Sequence, residues 1–200
     1  MTDQPSYHHG NLRRAVLDAA VEAIAEQGPA TWSLRELARR AGVSHAAPAH
    51  HFGDKTGLLT AVAAEGYGRF ADALEAAGDD LHEAGLAYVR FATEHRAYFE
   101  VIFTPALYRA DDPEVSAARE RADRILAEGV RGLAPGEEGD PGDPGDAGDP
   151  GDAGDARTRG LAAWSIVHGF AHLWLSGALT DLGDDPVEAA RPVIRLLFES

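Results

Sequence analysis

Cysteine is absent from the 200 residues, so disulfides and thiol chemistry are excluded and a reducing cytoplasm is compatible with the chain. Long apolar runs are missing too. No stretch approaches the roughly 20 residues of a membrane span, and no basic-then-apolar signal leads the chain. These absences point to a soluble, cytoplasmic protein with no membrane partner. Catalytic motifs are equally scarce: there is no Gly-x-Ser-x-Gly elbow and no phosphate-binding glycine loop. His168 and His172 sit at i, i+4 on a helical pattern, but no third ligand neighbours them in sequence. No catalytic residue, cofactor or metal is therefore expected.

Positive charge is also in short supply. Eighteen Lys and Arg stand against 33 Asp and Glu, a net charge of −15. That balance disfavours a nucleic-acid partner unless it is unevenly spread, and it is. Residues 1–57 hold six cations, six acids and five of the nine histidines, whereas residues 134–156 hold eight acids and no cation. Only the face that touches DNA must be positive, so a neutral N-terminal part on an acidic body remains compatible with DNA.

What the sequence does contain is concentrated between Ser33 and Phe52. Ser33 followed by Glu36 reads as a capping box, the hydroxyl and the carboxylate each satisfying an orphan amide. Leu34, Leu37, Ala38 and Ala41 mark an apolar face at helical spacing. Gly42 supplies a positive φ, Val43 fills the corner, and Ser44 is placed to cap a second helix running to about Phe52. Two short helices across a glycine turn form a helix-turn-helix, or an ordinary αα corner. Pro48 removes a backbone donor near the start of the second helix and keeps it short.

The flanks decide between these readings. Leu12, Val16, Ala20, Ala23 and Ile24 define a bracing helix that ends at Gly28, after an N-terminal arm over residues 1–10. Phe52-Gly53-Asp54-Lys55 opens directly into a long helix reaching about Ala77. Residues 7–62 resemble the DNA-binding head of the TetR family of transcriptional regulators. The matching segments, in order, are Tyr7-His8-His9-Gly10-Asn11-Leu12, Ser33 to Ala38, Ala41-Gly42-Val43-Ser44, His51-Phe52 and Asp54-Lys55. The resemblance implies a recognition helix in the major groove, with His45, Ala46 and Ala47 at base edges. It implies phosphate contacts from Ser33, His50, His51 and Lys55, with Arg35 and Ser44 as further DNA-binding residues. One departure is Ala49, where the family usually carries a phosphate-contacting tyrosine; affinity is affected more than sequence choice.

The body is helical as well. Leu86, Val89, Phe91, Tyr98, Phe99, Ile102 and Phe103 form an aromatic-rich cluster over residues 81–103. From Gly139, six Gly-Asp-Pro or Gly-Asp-Ala triplets run through Ala156, and residues 134–156 read as a disordered, charge-extended acidic loop. Residues 158–177 are apolar nearly all round, which calls for cover on several faces, and a second copy of the chain can provide it. Trp164-Ser165-Ile166-Val167-His168-Gly169 resembles the Trp, His-Gly signature of one TetR subgroup.

The expected architecture is therefore all-α, with a three-helix helix-turn-helix head over residues 1–57 and a helical ligand-binding and dimerisation domain over residues 58–200. The resemblance implies a homodimeric repressor on a palindromic double-stranded operator, relieved by an unidentified small-molecule effector; the aromatic lining and the absence of a clear buried cation point to an apolar or cationic one. Tyr88, Phe91, Phe99, Phe103, Trp164 and His168 are the candidate pocket. Trp164, Phe170, Trp174, Val193 and Leu197 are the candidate dimer interface. Two alternatives stay open: a TetR-like ligand sensor or scaffold without its own operator, and a helical metalloenzyme built on His168 and His172.

Overall fold

In a computed structural model the backbone is described for residues 6–131 and 150–196, and side chains for residues 12–129 and 157–196. Nine α-helices and one short 3-10 turn make up the described residues, with no strand among them. They are α1 (Ser6–Gln27), α2 (Leu34–Arg40), α3 (Ala47–Phe52), α4 (Lys55–Ala77), α5 (Leu81–Glu94), α6 (Arg96–Ile102), the 3-10 turn Pro105–Leu107, α7 (Pro113–Arg131), α8 (Pro150–Leu175) and α9 (Pro186–Arg195). The chain divides into two compact units, Met1–Phe70 with His95–Arg121, and Ala71–Glu94 with Ala122–Ser200.

In the first unit α1 packs against α2, α3 and α6. Its Val16, Ala20, Ala23 and Ile24 are buried, as the helical spacing requires, beside Leu37, Ala38, Phe52, Leu58 and Val62. On the usual scale, fully burying each large aliphatic side chain contributes about 1.5–3 kcal/mol, so this shared core holds three short helices that would not persist alone. Tyr67 and Tyr108 both donate to the Ile102 carbonyl, at 3.1 and 3.0 Å, fixing the end of α6. Phe99 and Phe103 pack edge to face at 4.9 Å, and Phe70 meets Phe103 at 6.3 Å.

In the second unit α5 packs on α8 and α9, which also touch each other. Leu86, Val89, Phe91, Val167, Phe170, Ala171, Ala190 and Ile194 form its core. Asp185 caps α9 by accepting from the Val187 and Glu188 amides, with Pro186 in the first turn where a missing N–H costs nothing. The aromatic cluster expected over residues 81–103 is thus shared out: Leu86, Val89 and Phe91 belong to this unit, and Tyr98, Phe99, Ile102 and Phe103 to the other.

Two expectations about irregular segments need correction. The arm over residues 1–10 is helical from Ser6 onward, while residues 1–5 lie outside the described residues. The disordered loop expected over 134–156 does not include residues 150–156, because α8 begins at Pro150, whose fixed φ suits a first helical turn. Residues 132–149 lie outside the described residues.

Candidate nucleic-acid interface

The helix-turn-helix is built by local sequence. Ser33 has extended backbone angles (φ −118°, ψ 155°), and its Oγ accepts from the Glu36 amide at 3.2 Å, so the cap forms. The reciprocal half of the capping box does not: Glu36 Oε1 accepts instead from Arg40, at 3.3 and 3.1 Å. Gly42 takes φ 66°. Its amide donates to the Arg39 carbonyl and that of Val43 to the Ala38 carbonyl, at 3.3 and 3.0 Å. This paired closure satisfies two carbonyls at the end of α2 and turns the chain sharply.

The recognition helix starts later than expected. Ser44 does not cap it; the Ser44 carbonyl accepts from the Ala47 amide at 3.0 Å, closing a turn over His45 and Ala46, and α3 begins at Ala47 with no side-chain cap. Pro48 falls in the first turn, where its missing N–H would have had no helical partner, so it suits the start of α3 rather than disturbing it. The three-residue shift turns Ala47 inward, where it is 8% exposed beside buried Pro48. Its methyl is packed inward, which sets it apart from exposed His45 and Ala46. Exposed at this end of the unit are Ser33, Arg35, Ser44, His45, Ala46, Ala49 and His50, with His51 half-buried.

The cations of this region are divided between two tasks. Arg14 bonds Asp18 and Glu65, and Arg40 bonds Glu26 and Glu36. Both guanidiniums are held firmly in the charged form by these partners, Arg14 chiefly by Asp18 and Arg40 chiefly by Glu26. Lys55, the only lysine in the chain, donates to the carbonyls of Ala30 (2.8 Å) and Trp32 (3.0 Å) and lies 4.1 Å from the Trp32 ring centroid. Partial burial lowers its pKa from the ordinary lysine value. Two of its three donors are engaged, leaving one for a phosphate. Arg13 covers the Phe52 ring at 5.2 Å. Arg35 and Arg39 are exposed and, like Arg13, make no ion pair among the described residues.

Behind α3, Asp54 Oδ1 accepts from the Gly57 amide at 2.6 Å and caps α4. Arg109 reaches the same carboxylate at 3.0 and 3.2 Å, while its amide donates to Thr60 Oγ1 at 3.1 Å. Sequence reasoning missed Arg109 and Glu65; Arg109 meets Asp54, and Glu65 meets Arg14 and Tyr98, across separations that leave no local pattern.

The candidate pocket residues are divided between the two units. In the second unit Tyr88 Oη and His168 Nδ1 share a 2.8 Å hydrogen bond, and Trp164 Nε1 donates to the same hydroxyl at 3.3 Å. Burial, with nearby His172 second, lowers the His168 pKa, favouring a neutral ring. Phe91 is buried in the same unit; Phe99 and Phe103 lie in the first. A separate open cleft of about 560 Å³ is lined by Arg90, Thr93, Glu94, Asp184, Asp185, Pro186 and Val187. Among the described residues no group of three His, Cys, Asp or Glu is placed to hold a metal.

The candidate dimer residues also differ in exposure. Trp164 is 42% exposed, and Leu161, Ile166 and Leu173 on the same helix are more than a third exposed. Phe170 is buried within its own unit and stacks on Trp174 at 6.1 Å, so it backs that ring rather than facing outward. Val193 is half-buried, and Leu197 lies outside the described residues. No described helix is long and apolar enough to cross a membrane.

A capped helix, a glycine closure and a short helix with an exposed outer face define a helix-turn-helix protein. Comparison with known proteins agrees. The family model for bacterial regulatory proteins of the tetR family matches residues 16–62, and that for the tetracyclin repressor-like C-terminal domain matches residues 81–197. The chain belongs to the TetR family and is a DNA-binding transcriptional regulator. HTH-type transcriptional regulator BetI of Rhizobium meliloti (strain 1021) is 31% identical over 140 residues, covering 64% of this chain and 68% of that protein. A Rhodococcus sp. RHA1 protein of unknown function superposes with a TM-score of 0.71 at 29% identity, covering 98% of this chain and 97% of that one. The TetR family regulator PfmR of Thermus thermophilus shares the fold, with a TM-score of 0.67 at 21% identity over 92% of this chain and 97% of its own.

Proposed function

We propose that this regulator is a repressor that binds a palindromic operator as a homodimer and is released by a small apolar or cationic effector. The observation that carries the DNA reading is the exposed row Ser44, His45, Ala46, Ala49 and His50 beside Arg35 and Arg39, which make no ion pair among the described residues. In this reading residues 1–57 are the head and residues 58–200 the sensing and pairing domain. His45 meets a base edge, Ala46 a thymine methyl, and Ser33, His50, His51 and the remaining Lys55 donor meet phosphates. Ala49 contributes a small, close-fitting surface where a tyrosine would add a phosphate bond. The exposed apolar residues of α8 support pairing of two chains, since a second copy would cover Leu161, Trp164 and Leu173. Tyr88, Phe91, Trp164 and His168 are the part of the candidate pocket that lies in one unit. An effector that favours the released state needs about 1–3 kcal/mol of coupling to do so.

Band-shift titration with duplex DNA over a salt series tests this reading. Binding that weakens steeply as salt rises is expected, with Arg35→Ala and Arg39→Ala each flattening the slope by about 1 per head. Absence of a shifted band at low salt would point to the ligand-sensing reading without an operator.

A further inference from the structure

We propose that DNA binding by this head is proton-linked: His45, at a base edge, and His50, at a phosphate, take up protons as they enter the field of the phosphate backbone, adding to a face on which several of the head's cations are committed to its own structure. The inference rests on the DNA reading above and concerns how that same face is regulated. Of the six cations in residues 1–57, Arg14 and Arg40 are bound to carboxylates, Lys55 to two carbonyls, and Arg13 lies on the Phe52 ring. Arg35 and Arg39 make no such contact, and Arg13 has no carboxylate partner among the described residues. The exposed turn and recognition helix carry no fixed charge at all: between Gly42 and Gly53 the only titratable side chains are His45, His50 and His51.

The surroundings favour this role. On α1, packed against α3, Asp18 and Glu26 are paired with Arg14 and Arg40, and Glu22 is exposed without a cation partner among the described residues. On α2, also packed against α3, Glu36 is paired with Arg40, while Arg35 and Arg39 face solvent. After α3, Asp54 is paired with Arg109. Nearly every carboxylate around the histidines is already neutralised, so the head offers them little competition with DNA phosphate as a partner. Imidazole is the side chain whose charge ordinarily changes between about pH 5 and 8, and an approaching phosphate favours the charged form. Binding therefore draws protons in. It strengthens as pH falls and weakens as pH rises through the value at which the bound histidines lose their protons.

The test uses the full-length protein and mixed-sequence duplex DNA. Affinity is measured over a salt series at about pH 6 and about pH 8, the imidazole range, and proton uptake is counted by calorimetry in two buffers of different ionisation heat. Two extra imidazolium groups per head, four per dimer, should steepen the salt dependence at the lower pH by about 3–4 log units per log unit of salt. Affinity should fall at least tenfold, roughly, across the same interval. The exposed pair His45→Gln/His50→Gln should remove most of this difference, and His45→Arg/His50→Arg should bind at the higher pH as the unaltered protein does at the lower. Equal affinity and salt slope at both pH values with no proton uptake would overturn the proposal, as would a glutamine pair that keeps the full pH dependence, which would assign the protons elsewhere. No DNA binding at the lower pH and low salt would instead overturn the DNA reading on which the proposal rests.

Discussion

The Tyr98 hydroxyl donates to Glu65 Oε1 across 2.8 Å, joining α6 to α4 at a carboxylate that also receives Arg69 from its own helix and Arg14 from α1. Three donors on three helices converge on one half-buried side chain. Burial works to raise the Glu65 pKa, but the bonds from Tyr98, Arg69 and Arg14 outweigh it and hold the carboxyl below the ordinary range. Tyr98 is pushed up to about 12, first by burial and then by its bond to Glu65.

Removing one donor should therefore weaken the first unit. Tyr98→Phe leaves the ring in place but deletes a bond to a charged acceptor, a loss of about 1.5–3 kcal/mol, measurable by denaturant unfolding. Because the folded Glu65 pKa is depressed, its contribution is present above the unfolded carboxylate value, about 4.3, and is lost as pH falls through the lower folded value. Glu65→Gln should flatten the acid limb of the stability curve. The raised Tyr98 pKa acts at the other end: its contribution holds below about 10, the unfolded value, and fades as pH rises through about 12.

Ser33→Ala removes the only side-chain cap on α2. The expected cost is about 1 kcal/mol, read from the unfolding midpoint. Ser33→Asp should restore it, because aspartate accepts the same amide; a phosphate contact by the hydroxyl would not be restored, and DNA affinity separates the two roles.

Gly57→Ala should damage the junction between the recognition helix and α4. A Cβ there would overlap the Phe52 carbonyl oxygen and press on the Arg109 guanidinium. The backbone oxygen cannot swing aside as a flexible side chain can. A destabilisation of about 1–3 kcal/mol is expected, with DNA binding reduced by more than the stability loss explains.

Leu173→Glu places a charge on an exposed apolar position of α8. It should leave the fold of the single chain intact and shift the sedimentation profile from dimer to monomer. Unchanged association would remove α8 from the pairing surface.

The contrast between what was legible in the sequence and what was not follows the range of the interactions. The Ser33 cap, the Gly42 closure and the start of α4 at Lys55 depend on neighbours within five residues, so their chemistry is written locally. The start of α3 is not legible locally, because Ser44 has the chemistry of a cap but its carbonyl closes a turn first, and that geometry turns Ala47 inward. Glu65 draws Arg14 from 51 positions away and Tyr98 from 33, and Asp54 meets Arg109 from 55 away. Such pairs have no periodicity to reveal them. The aromatic cluster over 81–103 is continuous in sequence, and nothing local in it marks that its halves, either side of the turn between α5 and α6, belong to different units.

The central claim, a repressor that reads a palindromic operator through the exposed face of α3 and its preceding turn, is tested most directly by selecting bound fragments from a random duplex pool with the purified protein at near-physiological salt. The expected result is a recovered palindrome with half-sites about one helical turn or a little more apart, in which His45→Ala alters the preference at one base position per half-site. Recovery of sequence-indifferent fragments alone, or of a motif unaffected by substitutions at His45 and Ala46, would contradict it.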